Sequence, residues 1–473
     1  MIYAVARREI LLQLRDGRLL VTAALMVALL GAATAVGWSR WVTGEAERVR
    51  FSEQSYDQWL NQGPKHPHRA AAYGIYVAKP ETPLAVFEPG LRPYAGRTLW
   101  LEAHSNAAFS NAPADDDLTA SPGLGESSGA GLLQLLGGLI ALVLGSLSVA
   151  RERETGVLRQ LLAQGIKPSS WLAGKYLGLA GVLAIPLLPF GAIVLIATLW
   201  VSPAGTAHDT ALRAVVALGA GAAYLLALLA VGMVVSVIAR SSRFALMTAL
   251  GIWVIGSVLA PRAASHLALR LAPTPDAAVY AKAIGDNFMS GFGTEPGWDE
   301  RLKRLERDTL AQYRVSRLAD LPVGFSGLRM TAMDRWTIQV SDRQHQRLQA
   351  IYDRQARVRL VVAALAPFIA ARSVTQGMAG MDWPHYQHYA AEAELYRRAF
   401  NERMNAAITR SLRGEAWEMN AERDVWASVP PFHYDSPDFR WAMRAQAPPV
   451  VILILWLLAA LSALALVGRR LRP

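Results

Sequence analysis

Two groups of residues in this sequence have types and spacing suited to chemistry: closely spaced histidines and a run of alternating charge. His66-Pro67-His68 forms one histidine pair, and His385 and His388 form another. The second pair has i, i+3 spacing, which puts both rings on one face of a helix where they can share a metal such as copper or zinc. The nine histidines all fall in polar stretches, where a histidine needs no ligand, so these four are weak candidates and no metal site is expected. The charged run is Arg151-Glu152-Arg153-Glu154, followed by Thr155-Gly156 and then Val157, Leu158, Leu161 and Leu162. That spacing predicts a short amphipathic helix whose apolar face is made by the last four. Such a helix, lying along a membrane surface, can transmit a push from a partner. A plain basic loop between two spans would have the same composition.

The motifs that are missing narrow the function. Gly174-Lys175 is followed by Tyr176, so there is no G-x-x-x-x-G-K-[ST] phosphate loop. H-E-x-x-H, G-x-S-x-G and a G-x-G-x-x-G dinucleotide turn are missing too. Cysteine is absent, which excludes disulfides, thiolate metal ligands and a cysteine nucleophile. Asp115-Asp116-Asp117 lacks the spaced acidic ligands of a calcium loop and reads as a solvated loop. The chain is expected not to be an enzyme and to hold no cofactor of its own.

The composition supplies the frame. Of 473 residues, 53% are hydrophobic and 18% are charged, against about 25% charged in soluble domains. A bilayer span takes roughly 20 apolar residues. Six stretches qualify or nearly do: 19–38, 130–150, 176–200, 214–239, 244–260 and 449–467, with the fifth the shortest. None contains Asp, Glu, Lys or Arg, which argues against a proton- or sodium-driven carrier. With the N-terminus in the cytoplasm, the inner pieces are 1–18, 151–175, 240–243 and 468–473. They hold 14 Lys and Arg against 4 Asp and Glu, or +10 of the chain's net +11. That is the positive-inside pattern, and it excludes a nucleic-acid footprint, which would gather the charge on one soluble domain. Residues 1–18 read as an amphipathic helix on the inner surface, with Val5, Ile10, Leu11 and Leu14 opposite Arg7, Arg8 and Arg15.

More than half of the chain then lies outside, in insertions 39–129 and 261–448. Within the first, Pro64 to Trp100 alternates prolines with short apolar runs and reads as strands and turns. The second reads as long polar helices over 301–318, 331–362 and 389–413. Between them, 358–371 is apolar but holds Arg359 and Pro367. It is too short to span and reads as a core or membrane-surface helix. The expected fold is an α-helical integral membrane protein. It has six transmembrane helices, a small mixed α/β periplasmic insertion and a larger, mainly helical one.

The 151–175 loop resembles the coupling segment of ABC-2 type exporter permeases, with the pattern E-R-E-x-G-T-L-E-x-L-L, a proline, then L-x-G-K. The matching residues are Glu152, Arg153, Glu154, Gly156, Leu158, Leu161, Leu162, Pro168, Gly174 and Lys175. Val157 and Arg159 depart from it, the second with a reversed charge. The large insertions resemble a bacterial subgroup, through Pro367, Arg372, Met381-Asp382, His385, His388, Tyr396-Arg397-Arg398 and Phe432-His433-Tyr434-x-x-Pro437. The resemblance implies a permease in the bacterial inner membrane, with both termini cytoplasmic. It dimerises with itself or with a sister permease, among membrane lipid. A separate ABC ATP-binding subunit, carrying ATP and Mg, docks on the loop. Residues 151–166 then transmit its motion, with Glu152 and Glu154 touching the ATPase. Export of an unidentified substrate is the leading expectation. The alternatives are a mechanotransmitting subunit that acts on a periplasmic partner without transport, and a membrane-anchored sensor or scaffold.

Overall fold

The computed structural model describes residues 1–104 and 128–470. The chain is an α-helical integral membrane protein. Six helical runs are long and apolar enough to cross a bilayer: Leu20–Leu60, Gly129–Glu154, Pro168–Trp200, Ala207–Ile238, Ser242–Leu271 and Phe439–Arg470. They are called spans one to six below. The Asp115–Asp117 run lies outside the described residues.

Several spans outrun the apolar stretches that announce them. Span one belongs to a helix, Gly17–Leu60, that continues 22 residues past Trp38. No proline interrupts that extension, and Arg48 pairs with Glu45 one turn away. Span five also exceeds its expected short length, although Pro261 sits within it. The preceding turn, Val254–Leu259, is a π-helix. Its wider ring accommodates a residue that offers no N–H and whose ring would crowd the carbonyl four residues back.

Both termini lie at one end of the bundle. Gly468 packs on Leu172 and Ser169 at the start of span three, and the helix Ile2–Arg15 packs along the same start. A Cβ on Gly174 would sit 2.6 Å from the Cβ of Val5, and one on Gly178 would sit 2.7 Å from that of Glu9. The small-x-x-x-small pair therefore lets the N-terminal helix approach backbone to backbone.

At the opposite end the two insertions build one core rather than two. Residues 67–104 form a helix Pro67–Tyr73 and an antiparallel pair, β1 (Ile75–Ala78) and β2 (Thr98–Leu101), with Ile75 opposite Leu101. Their apolar faces, with Trp59 of the helix that carries span one, pack on Tyr389, Phe400, Met404 and Trp426 of the second insertion. Two buried polar tips are satisfied across the joint. Trp59 Nε1 donates to Trp426 O (2.9 Å), and Tyr389 Oη donates to Val77 O (3.0 Å).

The second insertion is helical, with boundaries that shift from those expected. Its main helices are Trp298–Tyr313, Phe325–Ala363 and Trp383–Ser411. The 358–371 run is not one helix. The long helix ends at Ala363, and Pro367 opens a new helix, Pro367–Met378. Proline is at home at that first helical position, where its missing N–H has no partner to lose. This helix enters the same core as the spans, through Phe368, Ala371, Val374 and Met378. Phe368 meets Tyr224 edge-on at 6.2 Å, and Gln134 donates to Thr375 Oγ1 (3.0 Å). Trp456 of span six donates to Ala364 O (2.9 Å). Trp456 lies 12 residues, about 18 Å of helix, from Gly468 at the terminal end. The turn at Ala364 thus dips to a depth inside the roughly 30 Å apolar slab of a bilayer.

Candidate functional site: an elbow at the terminal end

Span two ends in a short helix, Ala150–Glu154, and a second, Val157–Ala163, follows it. Gly156 joins them at φ +78°, a backbone region that glycine enters without a Cβ clash. The first helix begins where Ser236 Oγ, on span four, accepts the N–H groups of Val149 (3.0 Å) and Ala150 (2.9 Å). Those are donors that the break in span two would otherwise leave unpaired.

Three consecutive charges then grip three different elements. Glu152 accepts from Lys175 Nζ at 2.8 Å. Arg153 donates to Ala239 O and Val237 O, both at 2.8 Å, at the C-terminal end of span four. Glu154 accepts from the N–H of Ser242 (2.8 Å) and its Oγ (2.7 Å), at the first turn of span five. Cation meets a helix C-terminus and anion a helix N-terminus, the favourable sense for both helix dipoles. The adjacent pair therefore clamps the turn between spans four and five.

Lys175 is the hub. It is 3% exposed, bonds Glu9 at 2.7 Å as well as Glu152, and stands 5.4 Å over the Trp171 ring. One ammonium thus ties the N-terminal helix, the elbow and span three together. Leu158 is buried in the bundle core, and Leu161 and Leu162 pack against its edge. The outward face carries Arg151, Thr155, Arg159, Gln160, Gln164 and Lys167.

The placement gives both carboxylates partners within the chain. Glu152 is engaged by Lys175 and braces the elbow from within, whereas Glu154 bonds Ser242 at the exposed surface. The rest of the exposed polar surface is basic and amide-rich. Sequence reasoning missed Glu9, which is buried with Gln13 Nε2 bonded to it at 3.1 Å. Its signal was an acid four residues from Val5, on the side of the N-terminal helix that faces Gly178.

The histidine candidates lie at the other end and part company. His66 stacks on Trp417 (4.2 Å between centroids), and its Nδ1 accepts the N–H of His68 (3.1 Å). Burial lowers the pKa of both rings below the ordinary value. His388 bonds Tyr434 Oη, whereas His385 bonds Asp382 through Nδ1 (2.5 Å). Among the described residues, no group of three or more His, Asp or Glu has the arrangement to hold a metal.

His385 instead belongs to a buried junction between the insertions and the bundle. Arg213 of span four bonds Asp209 (2.6 Å), Pro437 O (2.5 Å) and, at 3.5 Å, His385 Nε2. Asp382 accepts from Gln446 of span six (2.7 Å). Lys79, from the first insertion, donates to Gly380 O (3.1 Å). Burial pushes Lys79 down to about 8, against the pull of Glu81 and Asp382. Burial likewise lowers His385, and Asp382 opposes it.

Against known families, residues 97–265 match the ABC-2 family transporter protein model. Residues 283–435 match a domain of unknown function, DUF3526. The first match contains the elbow, and the second contains the long helices of the second insertion. No curated protein matches the chain.

Proposed function

We propose that this chain, an ABC-2 family transporter protein through its membrane half, is a permease subunit that turns ATP hydrolysis by a separate ATP-binding subunit into substrate export. The observation that carries this reading is the three-way grip of Glu152, Arg153 and Glu154 on spans three, four and five. A partner that pushes on the outward face of Val157–Ala163 moves a rigid piece to which those spans are tied. ATP and Mg belong to that partner, since the chain has no phosphate loop of its own.

The charge distribution supports an inner-membrane location with the elbow and both termini in the cytoplasm. The shared core of the insertions then faces the periplasm. Exposed apolar residues on span one, such as Leu25 and Leu29, suit lipid or a second permease. The identity of the substrate has no residue signature here.

The test is co-purification. The tagged chain, extracted from its native host in mild detergent, should bring down a stoichiometric ATP-binding subunit with vanadate-sensitive ATPase activity. Recovery of the chain without a nucleotide-binding partner, across several detergents, overturns the reading.

A further inference from the structure

Three neighbouring helices at the insertion end carry both arginines and exposed apolar side chains. On the long helix Phe325–Ala363, the outward stripe runs Arg347, Arg354, Arg357 and then Val361 and the following Leu365, which are 69% and 78% exposed. On span five, exposed Ile255 and Leu259 are followed by exposed Leu267, Leu269 and Leu271, with Arg270 among the last of them. On span six, Arg444 precedes exposed Val451, Leu455 and Leu458. The helices lie side by side: Gln355 Nε2 donates to Ala272 O (2.7 Å) at the top of span five, and Trp456 of span six reaches Ala364 O.

Farther out the arginines are mixed: Arg314, Arg329, Arg410 and Arg413 have no side-chain ion pair among the described residues, whereas others do. Arg301, Arg304, Arg307, Arg317, Arg343 and Arg398 each bond a carboxylate. Arg270, Arg354, Arg357 and Arg444 have no hydrogen bond or ion pair among the described residues. Each stands next to apolar side chains that water would leave as an exposed patch. A guanidinium above an apolar stripe matches the phosphate layer of a bilayer, where its fork can take two phosphate oxygens while its stem lies on acyl chain.

We infer that Arg270, Arg354, Arg357 and Arg444 form a collar that binds the headgroup phosphates of anionic phospholipid in the leaflet nearest the insertions, with Val361 and Leu365 seated among the acyl chains. The second insertion is then held in the membrane by lipid as well as by the spans. This goes beyond the permease reading, and neither readout below needs an ATPase or a transported substrate.

The full chain, purified and delipidated in detergent, would be titrated with phosphatidylglycerol and with phosphatidylcholine and the bound lipid counted by native mass spectrometry. Wild type should prefer phosphatidylglycerol. Arg354→Gln with Arg357→Gln should weaken that binding about tenfold, and Arg304→Gln with Arg307→Gln should leave it unchanged. Millimolar glycerol phosphate should not displace the lipid, because a free headgroup lacks the chains. Equal binding of both lipids, an unchanged collar variant, an equal loss in the control pair or displacement by glycerol phosphate overturns the proposal. A second readout guards against a misfolded variant. In vesicles, a fluorophore on Leu365→Cys should be quenched by nitroxide-labelled acyl chains and one on Ser316→Cys should not. An unquenched Leu365 probe also overturns it.

Discussion

The elbow and the insertion-end junction solve the same physical problem with very different stretches of sequence. Each buries a cation among carboxylates and helix ends: Lys175 with Glu9 and Glu152, Arg213 with Asp209 and Pro437 O. At the elbow, three adjacent residues make three of the grips. At the junction, Lys79, Arg213, Asp382, His385 and Gln446 come from four separated parts of the chain. A local device moves as one body when pushed. A dispersed one reports whether distant parts are correctly assembled. The elbow is therefore the element suited to receive motion and the junction the element suited to hold the insertions in register with spans four and six.

The largest effect should come from the hub. Lys175→Met leaves Glu9 buried and unpaired, at a cost of about 3–5 kcal/mol. Thermal unfolding in detergent should show that loss, and stimulated ATPase activity should disappear. Addition of Glu9→Gln should recover part of the stability, since it removes the stranded charge. Arg213→Met should cost less, about 1–3 kcal/mol, because Asp209 is 35% exposed and keeps the Phe439 N–H as a donor. Its signature should differ: faster proteolysis of the insertions, with ATP-binding subunit docking retained. If both variants lose docking equally, the division of labour between the two ends is wrong.

Smaller changes sharpen the elbow itself. Ser236→Ala strands two buried N–H groups and should cost about 1–3 kcal/mol in unfolding free energy. Gly156→Ala meets no neighbour within 4 Å, so its effect is the backbone cost of φ +78° alone, about 1 kcal/mol. A separate readout is a pH trend at the junction. Lys79 titrates near 8 when folded and at its ordinary 10.5 when unfolded, so the unfolded chain binds more protons between those values. Stability from this group should rise with pH from about 8 to 10.5 and stay flat below 8. Lys79→Met should remove that rise in pH-dependent melting curves.

How much of this was legible in the sequence follows from the same contrast. The six spans and the elbow were readable because apolar length and a compact charge pattern are local signals. The direction in which Glu152 and Glu154 point was not, because their partners, Lys175 and Ser242, lie 23 and 88 residues away. The dip of Pro367–Met378 into the bundle was hidden for a different reason. Its apolar run is too short for a span, and Pro367 reads as an interruption when it is in fact a helix start. The single core of the two insertions was also out of reach. Trp59 and Trp426 are 367 residues apart, and nothing local in either says that one will cover the other. The histidine pairs gave a local signal that tertiary structure spent otherwise, on Trp417, Tyr434 and Asp382.

The most direct test of the central claim is a cross-link at the outward face of the elbow. The chain has no cysteine, so a single one is unambiguous. Gln160→Cys, exposed on Val157–Ala163, would be treated with a short bifunctional reagent in membranes that contain the co-expressed ATP-binding subunit, with Ser316→Cys on the second insertion as the comparison. A cross-link to that subunit from residue 160 and not from 316, with a yield that changes when vanadate traps the ATPase, is the predicted result. A cross-link from residue 316 and none from 160 would contradict the account.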